Sequence, residues 1–352
     1  MSFFITILML NVIIFIHEFG HLFFAKLGKI GVLEFSIGMG PKLIGTKFKS
    51  TFYNLRLFPI GGFVKLAGMD ESDETIDESL YFQNASFFSR FATLFAGSFF
   101  NIILGFFIFF SIVFFVGKPT VIPVIDSVIS NSPAMEQGLL AGDKLISLND
   151  NVIKDVSLDF VSKIHASSDE LKIKILRKGM YLDYFVTPFF DDDNSIYRLG
   201  IKLQVKRSDY GLFLSINESI NMTFYAISQV FLNLKMLVSG TVGFKDLSGP
   251  VGIVQFASYQ FNQNVIQFFS IMAFISIMLG VINLFPIPVL DGGHILFLCI
   301  EGIIKKPLPE KVMIILNNLF ILCLFLFMIF IIFNDVFHWN NRAELIQELI
   351  QK

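Results

Sequence analysis

The sequence predicts an α-helical polytopic membrane protein with about four transmembrane helices, a membrane-associated β-meander and an inserted α+β domain. Three observations lead there. The 352 residues are 54% hydrophobic and only 16% charged, against about 25% charged in an average soluble domain. The apolar excess is gathered into a few long runs rather than spread along the chain. Between the runs lie stretches of ordinary polarity, where apolar and polar residues alternate as they do in strands.

A bilayer crossing takes about 20 mostly apolar residues, and Phe3–Leu27, Phe91–Val116, Val265–Ile300 and Val312–Phe333 are long enough. The first lacks a basic leader and a small-x-small cleavage site, so it is expected to stay uncleaved. The second carries no charge and is bracketed by Arg90 and Lys118. The third exceeds one crossing and is broken by Asn283, Pro286, Pro288 and Gly292-Gly293. The 45 phenylalanines read as lipid-facing bulk, and a net charge of −2 argues against a nucleic-acid partner. Cys299 and Cys323 both sit in apolar runs, so no disulfide framework is expected.

These features divide the chain into four parts. Residues 1–117 form an N-terminal membrane half, with spans at both ends of it and a meander over 32–66. Within the meander Val32–Ile37, Lys42–Phe48, Thr51–Phe58 and Pro59–Val64 read as short strands, followed by an acidic, solvated loop from Asp70 to Glu78. Residues 118–207 have the composition and size of one small domain. Strands are expected there at Val121–Val128, Lys144–Leu148, Leu171–Arg177 and Leu182–Thr187, with helices ending near Gly138 and over Leu158–Ile164. Residues 208–264 are expected to be an interfacial helix and linker, because Glu218 and Lys235 bracket too few uncharged residues for a span. Residues 265–352 form the C-terminal membrane half. Lys26, Lys29, Lys42, Lys47, Lys49, Arg56 and Lys65 in the first loop, with Lys305 and Lys306 in the last, put both loops in the cytoplasm. Both termini and residues 118–264 then lie outside.

The chemistry sits in the spans. His17-Glu18-Phe19-Gly20-His21 places two imidazoles one turn apart on one helix face, where both can bind one ion. Glu18 is placed to take a proton from a metal-bound water, whose pKa zinc lowers toward about 7. One ionisable residue inside a span costs about 2.5–3.5 kcal/mol on insertion scales, so three together ask for a metal. The competing reading is a polar cluster facing a bundle interior, such as a proton relay. A catalytic zinc needs a third protein ligand and an open position. Asp291 is the only acidic residue between Asp246 and Glu301, and the Pro and Gly residues around it open the helix. His294, three residues on, is the rival ligand, and a loop cap is the plain structural alternative for Asp291.

The pairing of His17-Glu18-Phe19-Gly20-His21 with Leu290-Asp291-Gly292 resembles the site-2 protease family of intramembrane zinc metalloproteases. Gly61-Gly62-Phe63-Val64, Ser248-Gly249-Pro250-Val251-Gly252 and a PDZ-like inserted domain resemble its bacterial regulator of sigma-E protease branch. The resemblance covers nearly the whole chain. It implies one Zn2+ per chain held by His17, His21 and Asp291, with Glu18 as general base. It also implies that Asn101 and Asn283 line the site, binding substrate backbone or the oxyanion; both read equally well as helix-packing amides. Unlike the tandem-domain members, this chain has room for a single PDZ-like domain.

The segment from Asn131-Ser132-Pro133-Ala134 to Gly142-Asp143-Lys144-Leu145-Ile146 carries the PDZ resemblance. Its carboxylate loop is expected around Gly200, in Arg198-Leu199-Gly200-Ile201, the alternative being a domain that only blocks access. An edge strand of the meander at Phe63 could clamp an extended substrate by main-chain pairing. The expected partners are membrane-anchored protein substrates such as anti-sigma factors or remnant signal peptides, the lipid bilayer, and an upstream trimming protease. The expected location is the bacterial inner membrane, with the site toward the cytoplasmic side. A silent adaptor and a transporter are the other function classes. An intact Glu18 argues against the first, and the lack of internal duplication against the second.

Overall fold

Long apolar runs become helices where nothing interrupts them, because a helix satisfies its own backbone without water. In the computed structural model this holds for Ser2–Leu27 (α1) and Phe87–Val116 (α2). The structure describes residues 1–69, 77–153, 156–191, 196–208, 210–241, 249–306 and 308–337. Of the expected acidic loop only Asp77 and Glu78 are therefore described, and Ser248 also lies outside the described residues.

Between α1 and α2 the expected meander is two long strands, β1 (Val32–Phe48) and β2 (Thr51–Leu66), paired as an antiparallel hairpin. Each strand bends back on itself, so the four expected segments still lie side by side. Glu34–Ile37 is flanked by Gly62–Lys65 on one side and Phe52–Leu55 on the other, and Ile44–Phe48 pairs with Thr51–Leu55. Gly38 and Gly40, both at φ +84°, make the bend in β1, a conformation that side chains resist. Glu34 pins the fold-back by accepting hydrogen bonds from Ser36, Asn54 and Arg56. Burial pushes its carboxyl up, but these donors outweigh that and hold it below the usual carboxylate range.

The chain forms two units, residues 114–211 and the remainder. The smaller unit begins with β3 (Lys118–Val128) and a one-turn α3 (Pro133–Glu136) capped by the Ser132 hydroxyl. It continues through β4 (Lys144–Leu148), β5 (Asn151–Val152), a wide helical turn at Val156–Val161 and α4 (Ser162–His165). Strands β6 (Leu171–Arg177), β7 (Met180–Val186), β8 (Phe189–Asp191), β9 (Ile196–Arg198) and β10 (Ile201–Ser208) complete it. The main sheet has the antiparallel order β10-β3-β4-β6-β7. It wraps a core that includes Ile125, Leu139, Leu145, Leu148, Phe160, Ile173 and Val186. Strands β8 to β10 were not expected. The last of them closes the sheet against the first strand of the unit, a pairing invisible in local sequence.

After this unit come α5 (Leu212–Val238), α6 (Pro250–Gln263), α7 (Val265–Asn283), α8 (Asp291–Ile304) and α9 (Glu310–Phe337). The structure refines three expectations. The third run, Val265–Ile300, is broken where expected, into α7 and α8, because Pro286 and Pro288 cannot continue the ladder. The linker before it contains α6, which opens on Pro250, a residue suited to a helix's first position. The helix expected over 212–240 packs along one face: its stripe of Ser215, Ser219, Thr223, Ala226 and Val230 is buried. Ala226 and Val230 pack with Phe109 of α2 and Ala273, Ile277 and Val281 of α7. Among the described residues four helices are long and apolar enough to cross a membrane: α1, α2, α7 and α9. The Asp335 carboxylate of α9, 1% exposed, accepts from the Gly249 and Gly252 N–H groups at the start of α6 (2.9 and 3.0 Å).

In the smaller unit Asp143 is also 1% exposed and receives Arg177 through Nε and Nη2, each at 2.6 Å, plus the Leu140 N–H at 2.8 Å. Replacing Asp143 by Ala should cost about 1.5–3 kcal/mol, the worth of hydrogen bonds to a charged group. Limited proteolysis of the full-length protein should then cut within residues 118–207 faster than in wild type.

Candidate active site

Helix α1 brings His17 and His21 to one face, their ring centroids 4.8 Å apart. What surrounds them depends on how near α2 can come. A side chain at Gly20 would meet the Ala96 carbonyl oxygen at 2.5 Å, and one at Gly97 would sit 2.7 Å from His21 Cε1 and 2.8 Å from His17 Cε1. Glycine at both crossing points lets the backbone of α2 lie directly against the imidazoles. Helix α7 closes on α2 in the same way. Gly280 faces the Ser98 carbonyl, and the Ser276 hydroxyl donates to the Asn101 carbonyl at 2.8 Å.

Asp291 arrives from the broken span. It is the first residue of α8, after a loop in which Val289 holds φ +87°, a strained value for a β-branched residue. The loop folds back over the start of α8. The Leu284 and Phe285 carbonyls press on Gly292 and the Ile287 carbonyl on Gly293, so neither position has room for a side chain. Arg90 of α2 pairs with Glu301 of α8 at 3.6 Å, tying the far end of α8 to the same helix.

His17 Nε2 lies 3.2 Å from His21 Nε2 and 3.2 Å from Asp291 Oδ2, and His21 Nε2 lies 3.5 Å from Asp291 Oδ1. Ligand bonds of about 2.0–2.1 Å in a tetrahedron place donor atoms about 3.3 Å apart. The three groups therefore stand where ligands of one zinc would stand, and two imidazoles with a carboxylate are a donor set zinc takes. His294 is not part of this group; its ring lies beside Phe297.

The remaining residues separate into near and far. Glu18 is next to the donors, and the Val64 backbone N–H hydrogen bonds to its carboxylate. Gly62 lets the strand come this close, since a Cβ there would be 3.3 Å from Glu18 Cγ. Phe63 is on that same strand, opposite Ser36, with the Arg56 guanidinium 5.0 Å over its ring. Asn283 reaches the site, its Nδ2 3.5 Å from His17 Nε2. Asn101 does not face an open surface: it is fully buried behind His17, its amide 3.2 Å from His17 Nδ1. Gly200 belongs to the smaller unit, where it holds φ +82° and lines a groove of about 390 Å³ with Phe160, Ile164 and Arg198. Sequence reasoning missed Thr93, whose carbonyl lies 2.7 Å from His21 Nδ1, and Gly97 and Ser98. The one available signal was the small-residue run Ala96-Gly97-Ser98 in a helix otherwise rich in phenylalanine.

The profile of Peptidase family M50 matches residues 5–327. A Clostridium acetobutylicum protein named as a zinc metalloprotease is 34% identical over 97% of this chain and 100% of its own length. A Campylobacter jejuni protein so named is 34% identical, covering 95% of this chain and 93% of itself. One from Helicobacter pylori is 33% identical, covering 97% and 99%. Among solved structures, the PDZ domain of an SdrC-like protein from Listeria monocytogenes aligns at 25% identity with a TM-score of 0.22, over 24% of this chain and 88% of that one. Matched along nearly its full length by both profile and relatives, the chain belongs to peptidase family M50 and is a zinc metalloprotease.

Proposed function

We propose that this protease is an intramembrane endopeptidase that cuts peptide bonds in or near the transmembrane segments of membrane-anchored proteins. The observation that carries the proposal is the position of the donor group: His17 and His21 lie in α1, a helix apolar enough to span a bilayer, and Asp291 opens α8 after the loop that ends α7, another such helix. A substrate reaching such a site must bring its backbone into the same layer. One zinc per chain, held by these three residues, supplies Lewis acidity toward a carbonyl and toward water.

The chain's own residues do the rest. Glu18 takes the proton of the attacking water and passes it to the leaving amine, with its carboxylate oriented by the Val64 N–H. Asn283 faces the same centre and is placed to donate to the oxyanion. The stretch Gly62–Val64 has a strand partner on one side only among the described residues, and its other edge meets Glu18. That edge holds the substrate as an added strand, which needs no particular side chains. It also straightens the substrate, since a helical peptide bond is shielded from attack by its own hydrogen bonds. The smaller unit, with Gly200 in its groove, screens or captures substrate termini. The cationic loops at Lys26–Lys65 and Lys305–Lys306 orient the site toward the cytoplasmic face of a bacterial cell membrane.

The test is cleavage of a single-span substrate with a short ectodomain by the purified protein in detergent. Glu18→Gln should lower the rate about 10²–10⁴-fold, the usual worth of general-base catalysis, while keeping its zinc. Equal cleavage by both forms would remove Glu18 from the mechanism. Phe63→Pro, which removes the N–H facing Ser36 of β1 and so loosens this edge strand, should slow cleavage about five- to tenfold at unchanged zinc content. An unchanged rate would show that the edge does not hold substrate.

A further inference from the structure

A zinc-bound histidine needs its second ring nitrogen to donate a hydrogen bond, because the metal takes the lone pair of the first. For His21 that partner is visible: Nδ1 lies 2.7 Å from the Thr93 carbonyl, which can only accept. His21 Nδ1 therefore carries the proton, and Nε2, aimed at the other donors, is bare. His17 is oriented in the same way, with Nε2 toward His21 and Asp291 and Nδ1 toward α2. Its outer partner is a side chain rather than a carbonyl.

We infer that Asn101 is a positioning residue that accepts the His17 Nδ1 proton through its amide oxygen, and so holds this imidazole ready for the metal. The inference rests on the zinc site proposed above. Asn101 is fully buried and 3.2 Å from Nδ1. With the amide nitrogen turned to the ring, Nδ1 must be the acceptor and the proton falls on Nε2, where it blocks coordination. A half-turn of the amide exchanges oxygen and nitrogen with almost no change in shape. It then presents an acceptor to Nδ1–H and leaves Nε2 free. The place of Asn101 is held from outside the site, since the Ser276 hydroxyl of α7 donates to its own carbonyl at 2.8 Å. Gly97, one helical turn earlier, leaves room for His17 and His21 against the same face of α2. Helix α2 thus braces both imidazoles, one by a backbone carbonyl and the other by Asn101.

The experiment compares wild type, Asn101→Leu and Asn101→Asp as full-length proteins in detergent. It measures zinc retained against a competing chelator, and kcat and KM at saturating zinc. Leu keeps the volume and removes the acceptor; Asp keeps an acceptor at the same place. Asn101→Leu should lose about 10–100-fold in zinc affinity, the usual effect of losing such a partner, with KM unchanged. Asn101→Asp should recover most of the affinity. Thermal melting of the zinc-free proteins separates a local effect from general misfolding. A raised KM with unaltered zinc affinity in Asn101→Leu would make Asn101 a substrate contact and overturn the inference. So would an Asp variant that loses zinc as fully as Leu. A wild-type protein that holds no zinc would overturn the function proposed above together with this inference, whereas equal zinc affinity in all three proteins overturns the inference alone.

Discussion

The larger, helical unit of this protein answers to one constraint: His17, Glu18, His21 and Asp291 must be kept together among helices that are otherwise largely apolar. Each ionisable group in a span costs a few kcal/mol when unsatisfied, so the bundle is arranged to satisfy all of them at once. The imidazoles face each other and a carboxylate, and their outer nitrogens meet Thr93 and Asn101. Close approach of helices makes this possible, and close approach requires small residues. Gly20, Ala96, Gly97, Ser98, Gly105 and Gly280 form the seams where α1, α2 and α7 touch through backbone rather than side chains. A chain with 45 phenylalanines has glycine where bulk would push the ligands apart.

The same constraint accounts for the broken span. A continuous helix over 265–300 would carry Asp291 past the histidines on a fixed screw. Ending α7 at Asn283 and starting α8 at Asp291 lets a loop choose where the carboxylate lands. The loop is expensive, with Val289 in a strained conformation and carbonyls packed onto Gly292 and Gly293. Such strain persists only where surrounding packing dictates it. The irregular backbone packs against its own protein, with Pro288 buried and most of its neighbours half-buried.

The β-hairpin extends the argument to the substrate. Its apolar residues are unusually exposed for a sheet, Ile44, Phe48 and Phe58 among them, and no acidic residue occurs between Gly38 and Phe58. The hairpin bends through Gly38 and Gly40, and the Glu34 network with Ser36, Asn54 and Arg56 keeps it folded over. The result brings Gly62 and Val64 to Glu18.

How much of this was legible beforehand follows from the range of the forces involved. Positions of α1, α2 and the last span, and the one-turn spacing of His17 and His21, are local facts of hydropathy and helical period, and sequence alone determined them. Asp291 was legible because acidic residues in spans are rare and Pro-Gly breaks are conspicuous. Strands Lys144–Leu148 and Leu171–Arg177 lie where alternation placed them. The bent hairpin, the closure of β10 on β3 and the packing of α5 on α7 depend on partners far away in sequence, and no local period encodes them. Asn101 is the clearest case. In sequence it is one polar residue in an apolar run, open to several roles, and only the crossing of α1 and α2 turns its amide to His17. Helix propensity and spacing act within a few residues, while the direction an amide faces is set by whatever the folded bundle presses against it.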